Sequence, residues 1–189
     1  MPLPAEANGV PDRNNSGACD AGGMQSIFAV RLNLEKPPAN LEKAAEFFAK
    51  EVMEEIVIGP PPRHLVAFTL GPARPMRWEL EGAPSPPDDL IRALLEHEKA
   101  YAVGLVHPAA VPANVEADRA WVISCEDATR RLDVMIALRG SNERGGAEQA
   151  QMLSTRPSKK PPRWVGVPPE EVSLVQLEDR FTFGPAGDA

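Results

Sequence analysis

The sequence predicts an α+β domain: a mixed or antiparallel sheet of about six strands packed by two helices. Three observations carry this. Strand-like and helix-like runs follow in the order βα-ββ-α-βββ-β, which is not the strict alternation of a doubly wound fold. Two segments carry apolar residues at helical spacing behind good start signals. Apolar residues make up 43% of the 189-residue chain, enough for a packed core.

The elements follow in chain order. Residues 1–23 have almost no apolar side chains to bury and are expected to be a disordered tail. "SIFAVRLNL" alternates, with Phe28, Val30, Leu32 and Leu34 on one face and Arg31 and Asn33 on the other, which describes a half-buried strand. After Pro37-Pro38, Asn40 is a good cap for the helix "LEKAAEFFAKEVMEEI". Leu41, Ala45, Phe48, Val52 and Ile56 form its apolar stripe, and Glu46–Lys50 has the favourable i,i+4 order on its outer face. Gly59 and three prolines stop it.

"HLVAFTLG" and "MRWELEG", joined by "PARP", read as a hairpin or two neighbouring strands. Ser85, Pro86 and Asp88 start a second helix that buries Leu90, Ile91, Leu94 and Leu95. "YAVGLVH" suits an interior strand. "AWVISC" and "LDVMIALR" flank "EDATRR" as a hairpin, with Leu132, Val134, Ile136 and Leu138 inward and Arg131, Asp133 and Arg139 outward. The single α+β domain is therefore expected over residues 24–140. Residues 141–189 read as a proline-rich extension, with a short helix near "AEQAQML" and a last strand at 172–178.

Composition narrows the function classes. The 21 prolines exceed the roughly 5% of average usage and cluster, so punctuated loops should surround the centre. A net charge of −7 and a pI near 5.1 give no general attraction for phosphate backbones or anionic lipid. No apolar run approaches the roughly 18 residues of a membrane span, and the first residues do not read as a secretory signal. Two cysteines, Cys19 and Cys125, cannot build a disulfide framework, so a reducing cytoplasm is the expected setting. Abundant Ala, Pro and Arg suggest a GC-rich bacterial genome.

Several residues are candidates for chemistry. Strand alternation sets Val103, Leu105 and His107 on one face, and Asp118 returns eleven positions after the histidine. His107-Pro108 and Asp118, behind the strand–helix–strand lead-in "RWELEGAPSPPDDLIRALLEHEKAYAVGLVHP", resemble the JAB/MPN metalloprotease family over roughly residues 41–118. That family's hallmark is His-x-His-Pro followed by Ser-x-x-Asp. The resemblance implies a zinc-dependent hydrolase with His107 and Asp118 as ligands and Glu54 or Glu55 as the upstream glutamate. Leu105 and Val115 occupy the positions of the family's first histidine and serine. The favoured reading of His107 is then a strand-end histidine hydrogen-bonded to backbone, and a relative without catalytic machinery, whose fold is kept for binding, is a third reading.

The stretch "RPSKKPPRW" brings Arg156, Lys159, Lys160 and Arg163 together with Trp164. Cations beside an aromatic ring can contact phosphates and stack on a base, which would make this a nucleic-acid loop. The alternative is docking on an acidic partner, or on the protein's own acidic helix faces. Cys125, in an apolar strand before Glu126 and Asp127, reads as buried filler. His97 reads as a surface residue near a helix C-terminus. The favoured reading is a cytoplasmic binding or assembly module that works on another protein, with no catalytic residue, metal or other cofactor. The divergent hydrolase and a weak nucleic-acid binder are the alternatives.

Overall fold

The computed structural model describes residues 25–34, 36–62, 64–72, 74–83, 88–168, 181–183 and 187–188. The tail 1–23, the Ser85 helix start and the strand expected at 172–178 lie outside them.

The chain is α+β. Seven strands form one open antiparallel sheet: β1 (Gln25–Arg31), β2 (Leu65–Leu70), β3 (Met76–Glu81), β4 (Ala102–Ala109), β5 (Arg119–Asp127), β6 (Arg131–Arg139) and β7 (Gln149–Pro157). Their order is β7-β6-β5-β4-β2-β3-β1. Two short pieces, β8 (Phe181–Phe183) and β9 (Gly187–Asp188), lie parallel to β1. The sheet thus has seven antiparallel strands rather than about six. Helix α1 (Leu41–Ile58) covers one face and α2 (Asp88–Glu98) the other. Among the described residues no helix is long and apolar enough to cross a membrane.

Each helix has its own core. The Asn40 side chain accepts from the Lys43 amide at 3.0 Å and starts α1. The α1 stripe then packs on Val66, Phe68, Val106, Ile123, Val134, Ile136 and Leu138. Phe48 stacks on Phe68 with ring centroids 5.2 Å apart. Gly104 makes room for that ring, because a Cβ there would sit 2.5 Å from Phe48 Cδ2. The outer face of α1 pairs Lys43 with Glu46 and Lys50 with Glu54, in place of the expected Glu46–Lys50 pair. On the opposite face, Leu90, Ile91, Leu94 and Leu95 of α2 pack on Ile27, Trp78, Leu80, Val103 and Leu105.

Three further expectations are corrected. In β1 the better-buried residues are Ile27 and Ala29, which meet the α2 core, while Phe28 is 43% exposed. Both faces of the sheet have a cover, and α1 does not reach Phe28. The segment expected as a short helix enters β7 instead. Asn142 and Ala147 bond to the Val57 and Ile56 carbonyls at the end of α1, and the chain then pairs with β6. The sheet accordingly continues past residue 140. Arg131, expected to face outward, is only 9% exposed because the chain after β7 folds over it.

Candidate functional site

The α2 face of the sheet is wider than α2. Beyond the helix, β4, β5 and β6 offer side chains at alternate positions: Leu105 and His107, Val122 and Ser124, Arg131 and Asp133. The chain after β7 returns over them, and a cleft of about 360 Å³ remains between sheet and loop. Lys160, Arg163 and Trp164 line its loop side.

A buried carboxylate builds the loop side. Glu126 continues the Val122–Ser124 face of β5 and is fully buried. Pro161 and Pro162 have no N–H, and the next three residues turn theirs onto Glu126. The Arg163 amide donates to both carboxylate oxygens at 2.9 Å, the Val165 amide donates at 2.8 Å, and the Trp164 amide lies between them. Successive amides converging on one anion form a backbone nest, here filled by the protein's own side chain.

The first turn of α2 holds the same loop from the other side. Asp88 accepts from the Trp164 indole at 2.8 Å and from Arg163 Nε at 2.6 Å, while Arg92 Nε donates to the Arg163 carbonyl at 3.1 Å. Trp164 is 3% exposed as a result, and Arg131 lies over its ring, 5.1 Å from the centroid.

Arg131 is the unusual group. Its Nε is 3.3 Å from Glu126 Oε2, close enough for an ion pair, yet no hydrogen-bond partner is aligned with it. Among the described residues the terminal guanidinium nitrogens make no hydrogen bond either. An arginine this enclosed normally satisfies its fork. Lys160 has no ion pair among the described residues.

Beside Arg131 runs a polar line across three strands. The Ser124 hydroxyl donates to Asp133 at 2.9 Å, and His107 Nε2 lies 3.2 Å from the same hydroxyl. Because Asp133 takes the serine proton, His107 Nε2 completes the line as an N–H donor. Serine stands in the middle here. A serine nucleophile needs an imidazole that accepts its proton, so this order does not activate Ser124.

No protein-family model, curated protein or solved structure matches the chain.

The residues singled out from the sequence separate into distinct places. His107 lines the cleft, and its Nδ1 also lies 3.4 Å from the Pro108 carbonyl. Asp118 lies in the β4–β5 loop and accepts from the Gly140 amide at 2.7 Å. Glu55 is on α1, across the sheet, bonded to Arg77 at 2.6 Å. The three do not come together. Among the described residues no group of three or more His, Cys, Asp and Glu side chains is arranged to hold a metal ion.

Of the basic loop, Lys160, Arg163 and Trp164 reach the cleft. Arg156 stands in register beside Asp133 on β7, and Lys159 is exposed outside the lining. Cys125 is buried on the α1 face, where burial raises its thiol well above the ordinary range. His97 is exposed in the last turn of α2, against Glu98.

Sequence reasoning missed Glu126, Arg131, Ser124, Asp133 and Asp88 as parts of one site. One signal was present. Glu126 and Arg131 flank the hairpin turn and pair directly in register, in phase with Ser124 and Asp133.

Proposed function

We propose that this protein is a non-catalytic binding or assembly module that receives a group of another protein in the cleft over β4–β6. The observation that carries this reading is Arg131: a guanidinium held beneath a fixed loop, its fork open to the cleft. The clamps on the loop support it further. Glu126 and Asp88 give the cleft a fixed wall, and a preformed wall lowers the ordering cost of binding. The setting we infer is the cytoplasm of a bacterium.

Two other readings receive less support. A divergent JAB/MPN-like hydrolase needs Glu55 near His107 and Asp118, whereas Glu55 is held by Arg77 beneath the other face. Nucleic-acid stacking needs an open ring, and Trp164 is covered by Arg131.

The test is capture from a lysate of the native host with the tagged full-length chain, beside a Lys160→Glu variant. The reading expects a protein retained by the parent and lost with the variant. The same proteins on both, or none on either, sinks it.

A further inference from the structure

We infer that the group recognised in this cleft is a carboxylate, held by the Arg131 fork with Lys160 as its counter-charge. This rests on the binding reading above and names the chemistry of what is bound.

The first ground is Arg131 itself. Its side chain is nine-tenths buried, with Nε lacking a hydrogen-bond partner. It lines the cleft beside His107 and Ser124. Nε faces Glu126, whereas the two terminal nitrogens make no hydrogen bond among the described residues, and a planar acceptor with two oxygens matches that outer edge of the guanidinium. Trp164 packs against the guanidinium, with Cζ 5.1 Å from the ring centroid, so little side-chain freedom is left to lose on binding.

The second ground is charge. Arg131 is offset by Glu126 and Arg163 by Asp88. Asp133 accepts from Ser124 and stands in register with Arg156, without an ion pair between them. Lys160, on the cleft wall, is left over. A lysine without an ion pair on the cleft wall favours an anion there. A phosphate carries roughly −1.5 to −2 at neutral pH, and Asp133 would oppose the second charge. His107 and Ser124 offer a polar wall to whatever follows the carboxylate.

A partner protein can present a carboxylate as its chain terminus or as an Asp or Glu side chain. Two probes distinguish them: N-acetylglycine for the terminus and N-acetylaspartic acid N-methylamide for the side chain. Each is titrated into the ¹⁵N-labelled full chain at constant ionic strength, with inorganic phosphate and sodium chloride in parallel. The readouts are the Arg131 Nε–H resonance, assigned by its loss in Arg131→Lys, and the Trp164 indole resonance.

The expected result is a saturable shift of both with at least one carboxylate probe, and weaker or no binding of phosphate. The exposed Lys160→Gln variant, which should fold normally, weakens the carboxylate about threefold, as expected for one partly screened charge. Tighter binding of phosphate, an equal shift with chloride, or undiminished affinity in Lys160→Gln overturns the assignment. If the carboxylates fail while capture from lysate still depends on Lys160, the carboxylate falls and the binding module stands. If both fail, both fall.

Discussion

Replacing Glu126 with glutamine changes one atom in the carboxylate that anchors the loop after β7. The carboxylate accepts the amides of Arg163, Trp164 and Val165 and lies 3.3 Å from Arg131 Nε. A glutamine oxygen can replace one carboxylate oxygen. The amide nitrogen must replace the other, and it then points hydrogens at the Arg163 amide and at Arg131. Hydrogen bonds to a charged acceptor contribute about 1.5–3 kcal/mol and neutral ones about 0.5–1.5, so three weakened bonds cost about 3 kcal/mol. Leaving Arg131 without its counter-charge costs about 3–5 kcal/mol by itself in comparable buried pairs. The two terms overlap, and a total of about 3–5 kcal/mol is expected. Urea unfolding followed by circular dichroism measures it, and tryptophan fluorescence should show Trp164 released toward water. The double variant Glu126→Leu with Arg131→Met separates the causes. It removes both charges but orphans three amides, so most of the loss should persist. A loss below about 1 kcal/mol in Glu126→Gln would refute the reasoning, because the loop would then be held by something else.

Three further outcomes follow from the same structure. Ile136→Ala, at a fully buried site facing α1, should cost about 2–5 kcal/mol in urea unfolding, and a loss under about 1 would mean the α1 core closes over the gap. Burial raises the Glu51 carboxyl above its ordinary 4.5, and Glu54 adds to the shift. A carboxylate with a raised folded pKa lowers stability once pH exceeds the unfolded value and has no effect well below it. Glu51→Gln should therefore raise the melting temperature at neutral pH, with the gain vanishing as pH falls below 4.5; a gain constant with pH would show that ionisation is not its cause. In a Cys19→Ser background, native Cys125 should alkylate on the order of a thousandfold more slowly than the unfolded chain, since only global opening exposes it. Equal rates would contradict its burial.

The elements best read from the sequence are those whose burial is one-sided and complete. The α1 stripe and the inward set Leu132, Val134, Ile136 and Leu138 meet a single core, so periodicity reports them directly. β1 misleads because both faces of the sheet are covered. Ile27 and Ala29 meet α2 while Leu32 meets α1, and a large residue such as Phe28 then carries no sign of which side is roofed. β7 misleads for the opposite reason. It is an edge strand with mostly exposed or half-buried side chains, so "QAQMLSTRP" has no apolar alternation to read. Its strand state comes from hydrogen bonds to β6, which no local pattern encodes.

The cleft was legible only in fragments, and the reason is its chain separation. The basic loop was visible as a cluster, but what it docks on was not. Its anchor Glu126 lies 37 residues before Arg163, and Asp88 lies 75 before it. Neither anchor looks unusual where it stands: Asp88 is an acidic residue at a helix start, and Glu126 ends an apolar strand beside a turn. The informative feature was a conflict. A glutamate in phase with buried positions must find donors, because an unpaired carboxylate does not stay buried. The nearest cation in register, Arg131, matches its charge without satisfying its hydrogen bonds. The remaining acceptor capacity had to be met by backbone amides, and those following Pro161-Pro162 are the ones that meet it. The same division leaves the guanidinium fork open, so the arrangement that anchors the loop also leaves the cleft with a donor in need of an acceptor.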